Sequence, residues 1–296
     1  MFVYKDEKEY VSKLKLMYLN LYIPLKFFMK RKSLLNLFLL PISLLSVGFL
    51  HLNISSLISP PAVRATNWNK YDISKKNGLR NLKNRNYQKA VEFFTEAINI
   101  YKGDSDAYYF RGEANQGLGN HKKAIDDFKK SLTMDGIGYE ANTNNMIGYS
   151  FIQLEDFENA LIHLNKAISI KSDQGDYYNN RGYVYLNQEK WDKALKDYET
   201  AKVKYLKKKE NLDEYFYSEI GYIHYNLGSL KLAIDNYDKA IKINPKEGYF
   251  YAGKGDALYD LGQENDACAN YNKSSELGYE EINDYLNSTD GDWCKK

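Results

Sequence analysis

Between residues 71 and 279, apolar residues recur at intervals of three to four, the spacing that lines one face of an α-helix. Six segments in this stretch align without gaps: NYQKAVEFFTEAINI (86–100), NHKKAIDDFKKSLTM (120–134), DFENALIHLNKAISI (156–170), KWDKALKDYETAKVK (190–204), SLKLAIDNYDKAIKI (229–243) and QENDACANYNKSSEL (263–277). They share a small residue, Ala90, Ala124, Ala160, Ala194, Ala233 and Ala267, at spacings of 34, 36, 34, 39 and 34. Twelve residues before each alanine stands a glycine: Gly78, Gly112, Gly148, Gly182, Gly221 and Gly255. Four residues after it comes a large side chain (Phe94, Phe128, Leu164, Tyr198, Tyr237, Tyr271), and seven after it a second small one (Ala97, Ser131, Ala167, Ala201, Ala240, Ser274). Breakers such as Lys102-Gly103-Asp104, Asp135-Gly136, Gln174-Gly175 and Pro245-Lys246-Glu247-Gly248 mark turns between these helical stretches.

A self-similar period near 34 with these columns resembles the tetratricopeptide repeat family, whose units are helix-turn-helix pairs. The glycine then occupies repeat position 8, the alanine 20, the large residue 24 and the second small residue 27, while Pro245 falls at position 32, where the family often has proline. The resemblance implies an all-α, right-handed superhelical solenoid of antiparallel helix pairs. Its six units would be 71–104, 105–138, 141–174, 175–208, 214–247 and 248–279, followed by a C-terminal cap and tail over 280–296. Small residues at positions 8 and 20 are expected where the two helices of a unit cross, and large aromatics between units. No single unit can bury its own face, so stacking must supply the core. In the first unit Ser74 and Asn81 replace the usual apolar residues, which a terminal repeat facing solvent on one side is expected to tolerate. The 39-residue spacing places an insertion near Lys207-Lys208-Lys209-Glu210, expected to be a solvated extension of the second helix of the fourth unit.

The first 65 residues follow a different pattern. Lys30-Arg31-Lys32 precedes an uncharged run from Leu34 to Leu50, interrupted by Pro41, and a weaker apolar stretch continues through Ile58. Small residues at Val63 and Ala65 complete the signature of a secretory signal peptide over 29–65, with cleavage after Ala65. The alternative is an uncleaved anchor: Leu34–Ile58 is long enough to span a bilayer, and its basic flank would stay cytoplasmic. Either way the expected location is exported (secreted, periplasmic or lumenal) or membrane-anchored. Residues 1–28 make an unusually long prelude, and Met29 is the expected initiator.

Composition sharpens this division. Residues 1–65 carry 9 basic and 3 acidic side chains, leaving 32 and 36 of the chain's 41 and 39 for the remainder; a net +2 thus averages a leader at +6 and a repeat region at −4. Four of the five prolines lie in the leader, and 18 of the 19 glycines lie after it. A near-neutral chain gives no case for nucleic-acid binding. The four histidines (His51, His121, His163, His224) form no i, i+4 pair, so no metal site is expected. Gly253-Lys254-Gly255 lies inside a helix and is no phosphate loop, and Asp290-Gly291-Asp292 lacks the further oxygens of a calcium loop. No cofactor and no nucleophile–base set is indicated, and no ionisable cluster of the kind that marks a catalytic site is visible. Cys268 lies in the last repeat and Cys294 near the C-terminus. If the 280–286 helix folds back, the two meet in a disulfide, which an exported protein allows; otherwise Cys268 is a small buried residue and Cys294 a free tail thiol.

Family members usually bind extended peptides or partner helices on a concave surface lined by first-helix positions 2, 5, 9, 12 and 13. Here those positions hold tyrosines (Tyr109, Tyr149, Tyr183, Tyr222, Tyr225, Tyr259), asparagines (Asn142, Asn145, Asn179, Asn187, Asn226) and acids (Glu113, Asp256, Asp260). Tyrosine gives contact area at low entropy cost and asparagine pairs with peptide backbone. The competing explanation is compositional, since the chain holds 28 tyrosines throughout. The carboxylate-clamp subtype that holds chaperone tails needs a Lys/Arg pair that is absent: Tyr109, Asn145 and Asn179 fill position 5, and Asp106, Asn142, Asp176 and Tyr249 fill position 2. Arg111 and Arg181, at position 7, are expected to belong to the repeat architecture. The expected function is a non-catalytic scaffold that binds protein, with the membrane as a further partner if the leader is uncleaved. The alternatives are an accessory subunit of a membrane-associated enzyme complex, or an enzyme with an unrecognised site.

Overall fold

The computed structural model describes residues 61–134 and 138–295. The chain divides into a compact body over Trp68–Lys296 and a segment over Met1–Asn67, of which 61–67 is described and is helical. The leader and anchor reading, from residue 1 to residue 60, lies outside the described residues.

Among the described residues the structure is entirely helical. The order is α1 (Pro61–Lys83), α2 (Tyr87–Ile100), α3 (Ser105–Gly117), α4 (His121–Leu132), α5 (Glu140–Gln153), α6 (Phe157–Ile170), α7 (Gly175–Asn187), α8 (Trp191–Lys207), α9 (Glu214–Asn226), α10 (Leu230–Ile243), α11 (Gly248–Asp260), α12 (Glu264–Glu276) and α13 (Glu280–Asn287), closed by a 3₁₀ turn over Thr289–Lys295. Odd and even helices pair through α12, and each pair packs on the next to give the solenoid.

One turn is used six times. The residue at repeat position 15 is left-handed in every unit: Arg85, Glu155 and Glu189 at φ 58, 57 and 55°, and Gly119, Gly228 and Gly262 at 74, 71 and 78°. This is the Schellman ending of a helix, in which the next backbone N–H returns to the carbonyl five residues earlier. Asn86, Asn120, Asp156, Lys190, Ser229 and Gln263 donate in this way to Asn81, Asn115, Phe151, Tyr185, His224 and Leu258, at 2.8–2.9 Å. The same six residues precede the second helices directly, so one bond ends a helix and aims its successor.

The core repeats in the same register. All six alanines at position 20 are fully buried, as are the small residues at position 27. The glycines at position 8 lie against the position-24 side chain of their own unit. A Cβ would stand 2.7 Å from the Phe94 ring at Gly78, 2.7 Å from Phe128 at Gly112 and 2.6 Å from Tyr271 at Gly255. The missing side chain therefore makes room for a large ring, which the expectation of two small residues meeting did not include.

One further expectation is corrected and another refined. Ser74 and Asn81 do not face solvent; they are 2% and 8% exposed. Their polarity is absorbed locally, Ser74 Oγ donating to Glu96 Oε2 at 2.8 Å and Asn81 Nδ2 to the Asn77 carbonyl at 2.9 Å. The extension of α8 is solvated at Lys207, Lys208 and Lys209, as expected, and only the turn before them is not wholly so. Val203 and Leu206 are exposed, but Tyr205 folds back, donates to Asp176 Oδ1 at 2.8 Å and packs where Gly175 has no side chain.

At the C-terminal end, Ile282 of α13 joins the cluster of Ala252, Leu258, Ala267 and Tyr271. Trp293 packs on Tyr259, with ring centroids 4.9 Å apart, and donates to the Tyr285 hydroxyl at 2.9 Å. Cys268 and Cys294 are joined as a disulfide, their Cα atoms 5.2 Å apart.

Candidate functional site

The first helices line one side of the solenoid. Several approach the first helix of the neighbouring unit: α3 to α5, α5 to α7 and α9 to α11. Residues at the same position of successive first helices thus form rows. The position-9 row holds Tyr149, Tyr183 and Tyr222, 39%, 38% and 36% exposed on α5, α7 and α9. A glycine precedes each of them and packs against the position-24 side chain, and the tyrosine, about 100° further round the helix, reaches the surface. Acids continue the row at its two ends, Glu113 on α3 and Asp256 on α11.

Other expected groove residues are placed differently. Tyr109 is only 8% exposed and packs among Phe110, Phe128 and Tyr139, so it belongs to the body rather than to an open surface. Asn145 is equally buried and accepts from Asn180 Nδ2 at 2.9 Å. Asn179 is half-buried, and its Oδ1 atom has no hydrogen-bond partner. Asn226 is exposed and turns back to the Tyr222 carbonyl at 2.8 Å.

The basic side chains of the first helices point elsewhere. Arg111 binds Asp127 through two nitrogens at 2.9 and 2.6 Å, and Arg181 binds Asp197 at 2.7 and 2.8 Å. Lys254 holds Asp238 at 2.6 Å. Each partner lies on a second helix, so these cations staple helices together, and no cation acts on Glu113, Glu219 or Asp256.

Those acids are unusual. Burial pushes the Glu113 carboxyl up to about 7, with no charged neighbour contributing. Burial likewise raises Glu219 to about 7, helped slightly by Asp213 and opposed by the Tyr198 hydroxyl. Asp256 is raised by burial and by Asp260, while a 2.8 Å bond from the Tyr271 hydroxyl pulls it down. Sequence reading found Glu113 and Asp256 as groove positions but missed Glu219, at position 6. The available signal was an acid flanked by packing residues, as in Gly112-Glu113-Ala114, Glu219-Ile220 and Gly255-Asp256-Ala257. Tyr222, Tyr225 and Tyr249 surround this acidic end. Tyr249 lies within electrostatic reach of Tyr222, Glu219 and Asp256, and Tyr225 within reach of Asp260, Asp256 and Tyr222.

Among the described residues no group of three or more His, Cys, Asp or Glu is arranged to hold a metal ion. No described helix is long and apolar enough to cross a membrane.

Comparison with known proteins agrees with the fold. A family model described as TPR repeat matches residues 148–189 and 221–262, and one described as Tetratricopeptide repeat matches 105–136. A TPR repeat-containing protein of Methanocaldococcus jannaschii is 26% identical over 212 residues, covering 58% of this chain and 36% of its own length. The chain spans about a third of the length of the curated relatives it matches. Among solved structures, Pseudomonas aeruginosa pilF superposes with a TM-score of 0.58 at 16% identity, covering 78% of this chain and 98% of that one. YrrB, described as a TPR protein with an unusual peptide-binding site, gives 0.55 at 19% identity and covers 65% and 96%. The chain carries tetratricopeptide repeats stacked as a solenoid.

Proposed function

We propose that this array of tetratricopeptide repeats is a non-catalytic scaffold that holds a protein partner along its first-helix face. The observation that carries this reading is the row of half-exposed tyrosines, Tyr149, Tyr183 and Tyr222, at one register of three successive helices. Scattered exposed rings need no explanation, but an aligned row on a concave surface offers an extended segment a contact at every unit. The peptide-binding site ascribed to YrrB lends the reading a precedent on the same fold.

The raised carboxyls are the one feature that bears on an enzymatic alternative, since perturbed acids cluster at catalytic sites. Burial accounts for them, and no nucleophile is placed beside them, so the scaffold reading is preferred. The scaffold works outside the cytoplasm or at a membrane, a location supported by the sequence of residues 29–65 alone. N-terminal sequencing of the mature chain should read from Thr66; a chain that retains residues 29–65 would instead be the anchored form.

The test of the groove is capture. The full chain in detergent, cross-linked in its native envelope, should retain a partner that Tyr183→Ala/Tyr222→Ala loses at least tenfold. Ile162→Ala/Leu232→Ala, at exposed second-helix positions, should retain it. Equal capture by both double variants would move the binding surface off the first helices.

A further inference from the structure

From the acidic end of the groove we infer the chemistry of the partner: the tyrosines and carboxylates of α9 and α11 receive the cationic head of a lysine or arginine carried on an extended segment. This rests on the scaffold reading above and adds what the scaffold selects.

Three observations lead there. First, the cations of these first helices are already engaged. Arg111, Arg181 and Lys254, the only Lys or Arg residues of α3, α5, α7, α9 and α11, are all bound to second-helix aspartates. The groups acting on Glu219 and Asp256 are phenols and other acids, namely Tyr198, Asp213, Tyr271 and Asp260, with no cation among them. Second, the acids sit among tyrosine rings. Tyr222, Tyr225 and Tyr249 share their surroundings with Glu219, Asp256 and Asp260. Aromatic faces and carboxylates together attract an ammonium or guanidinium through ring quadrupole and charge, and more strongly in a partly desolvated site. Third, a donor is left over. Tyr198 is fully buried, its hydroxyl makes no hydrogen bond of normal geometry, and it lies beside Glu219, whose charged form it already favours.

These features fit one event. Without a ligand, Glu219 is held partly protonated by burial. An entering cation favours the carboxylate, which releases its proton to solvent and accepts the Tyr198 hydroxyl. The cation gains charge pairing and ring contact, and the unmatched hydroxyl gains its acceptor. Neighbouring Tyr222 and Tyr183 continue the contact along the strand that carries the cation.

The test uses fluorescein-labelled (Lys-Gly)6 and (Gln-Gly)6 peptides with the full chain in detergent, read by anisotropy at pH 8. The lysine peptide should bind at least tenfold tighter than the glutamine peptide. Glu219→Gln/Asp256→Asn should remove that preference, whereas Glu92→Gln/Asp126→Asn, which makes the same charge change at exposed second-helix positions, should keep it. Affinity of the wild type for the lysine peptide should fall severalfold between pH 8 and pH 5.5, and the Glu219→Gln/Asp256→Asn variant should lose most of that fall. Melting curves show that each variant is folded. Equal binding of both peptides, sensitive to Tyr183→Ala/Tyr222→Ala, would overturn the cation assignment and leave the groove standing. Preference for lysine that survives Glu219→Gln/Asp256→Asn would overturn it as general attraction to an acidic protein. Binding of neither peptide, with partner capture still dependent on Tyr183 and Tyr222, would also overturn it.

Discussion

Glu155 and Glu189 occupy a backbone conformation that costs an L-residue about 1 kcal/mol, at a turn where three sister repeats use glycine. Their side chains have no structural part in the turn, which the backbone bond from the next residue closes. Glu189→Gly should therefore relieve strain and, after the entropy glycine adds to the unfolded chain, raise stability by a few tenths to about 1 kcal/mol. A urea melt that shifts to lower denaturant would contradict this. The groove acids lead to a prediction of opposite character. Glu113 and Glu219 titrate near 7 in the folded chain, whereas unfolded they return to the ordinary carboxylate range. The folded state therefore holds extra protons between those limits, its advantage is complete below the lower one, and that advantage is lost as pH rises through 7. His121, His163 and His224, which burial holds below the ordinary imidazole range, act in the opposite direction over the same window, so the acids' share is the change between wild type and Glu113→Gln/Glu219→Gln: on going from pH 5.5 to pH 8 the wild type should lose more stability, or gain less, than the variant, by about 2 kcal/mol or more in thermal melts at the two pH values.

At the scale of helices, the recurring event is a ring laid over a glycine. Tyr237 shows how far this goes: it lies against Gly221 of its own unit and also fills the space where Gly253 of the next has no side chain. A Cβ at Gly253 would stand 2.4 Å from the Tyr237 ring, which is 1% exposed and has no room to move. Gly253→Ala should cost about 1–3 kcal/mol in a thermal melt, as overpacking of a core does. The helix-level pattern was legible in sequence wherever it rested on spacing: the glycine, alanine and large-residue columns recur at fixed intervals, and the helices follow them. What spacing hides is partnership. Nothing in the chain marked Gly253 as a contact of Tyr237, or showed that Tyr205 would turn back to Asp176, because those pairs lie in different helices. Tyr109 was misjudged for a related reason. Its position predicts the groove, but the bulk of Phe110 and Tyr139 closes over it. Position 15 was missed because half its residues are charged, and the eye for turns looks for glycine. The disulfide also belongs to this scale: it closes a loop of 26 residues and ties the tail to α12. Reduction, or Cys294→Ser, should lower stability by about 2–4 kcal/mol, seen as a lower melting temperature that added reductant does not change further in the variant.

For the molecule as a whole, charge is the organising quantity that sequence averaged away. The repeat region is acidic, and on the first helices α3, α5, α7, α9 and α11 the three cations are spent on second-helix aspartates, while Glu113, Glu219 and Asp256 have no cation acting on them. A formal count over residues 66–296 conveys the sign of this field but not its location, since location depends on which face each first-helix residue meets. A solenoid of this kind also has no closed core, because each pair of helices is covered only by its neighbours. That leaves a terminal pair as an adhesive surface, ready to accept the next pair from any source. At the C-terminal end Ile282, Tyr285 and Trp293 occupy that surface, and the bond between Cys268 and Cys294 prevents them from lifting away. The strap therefore sits where a following helix pair would stack, and at the last repeat it replaces an open apolar face with a covered and covalently fastened one.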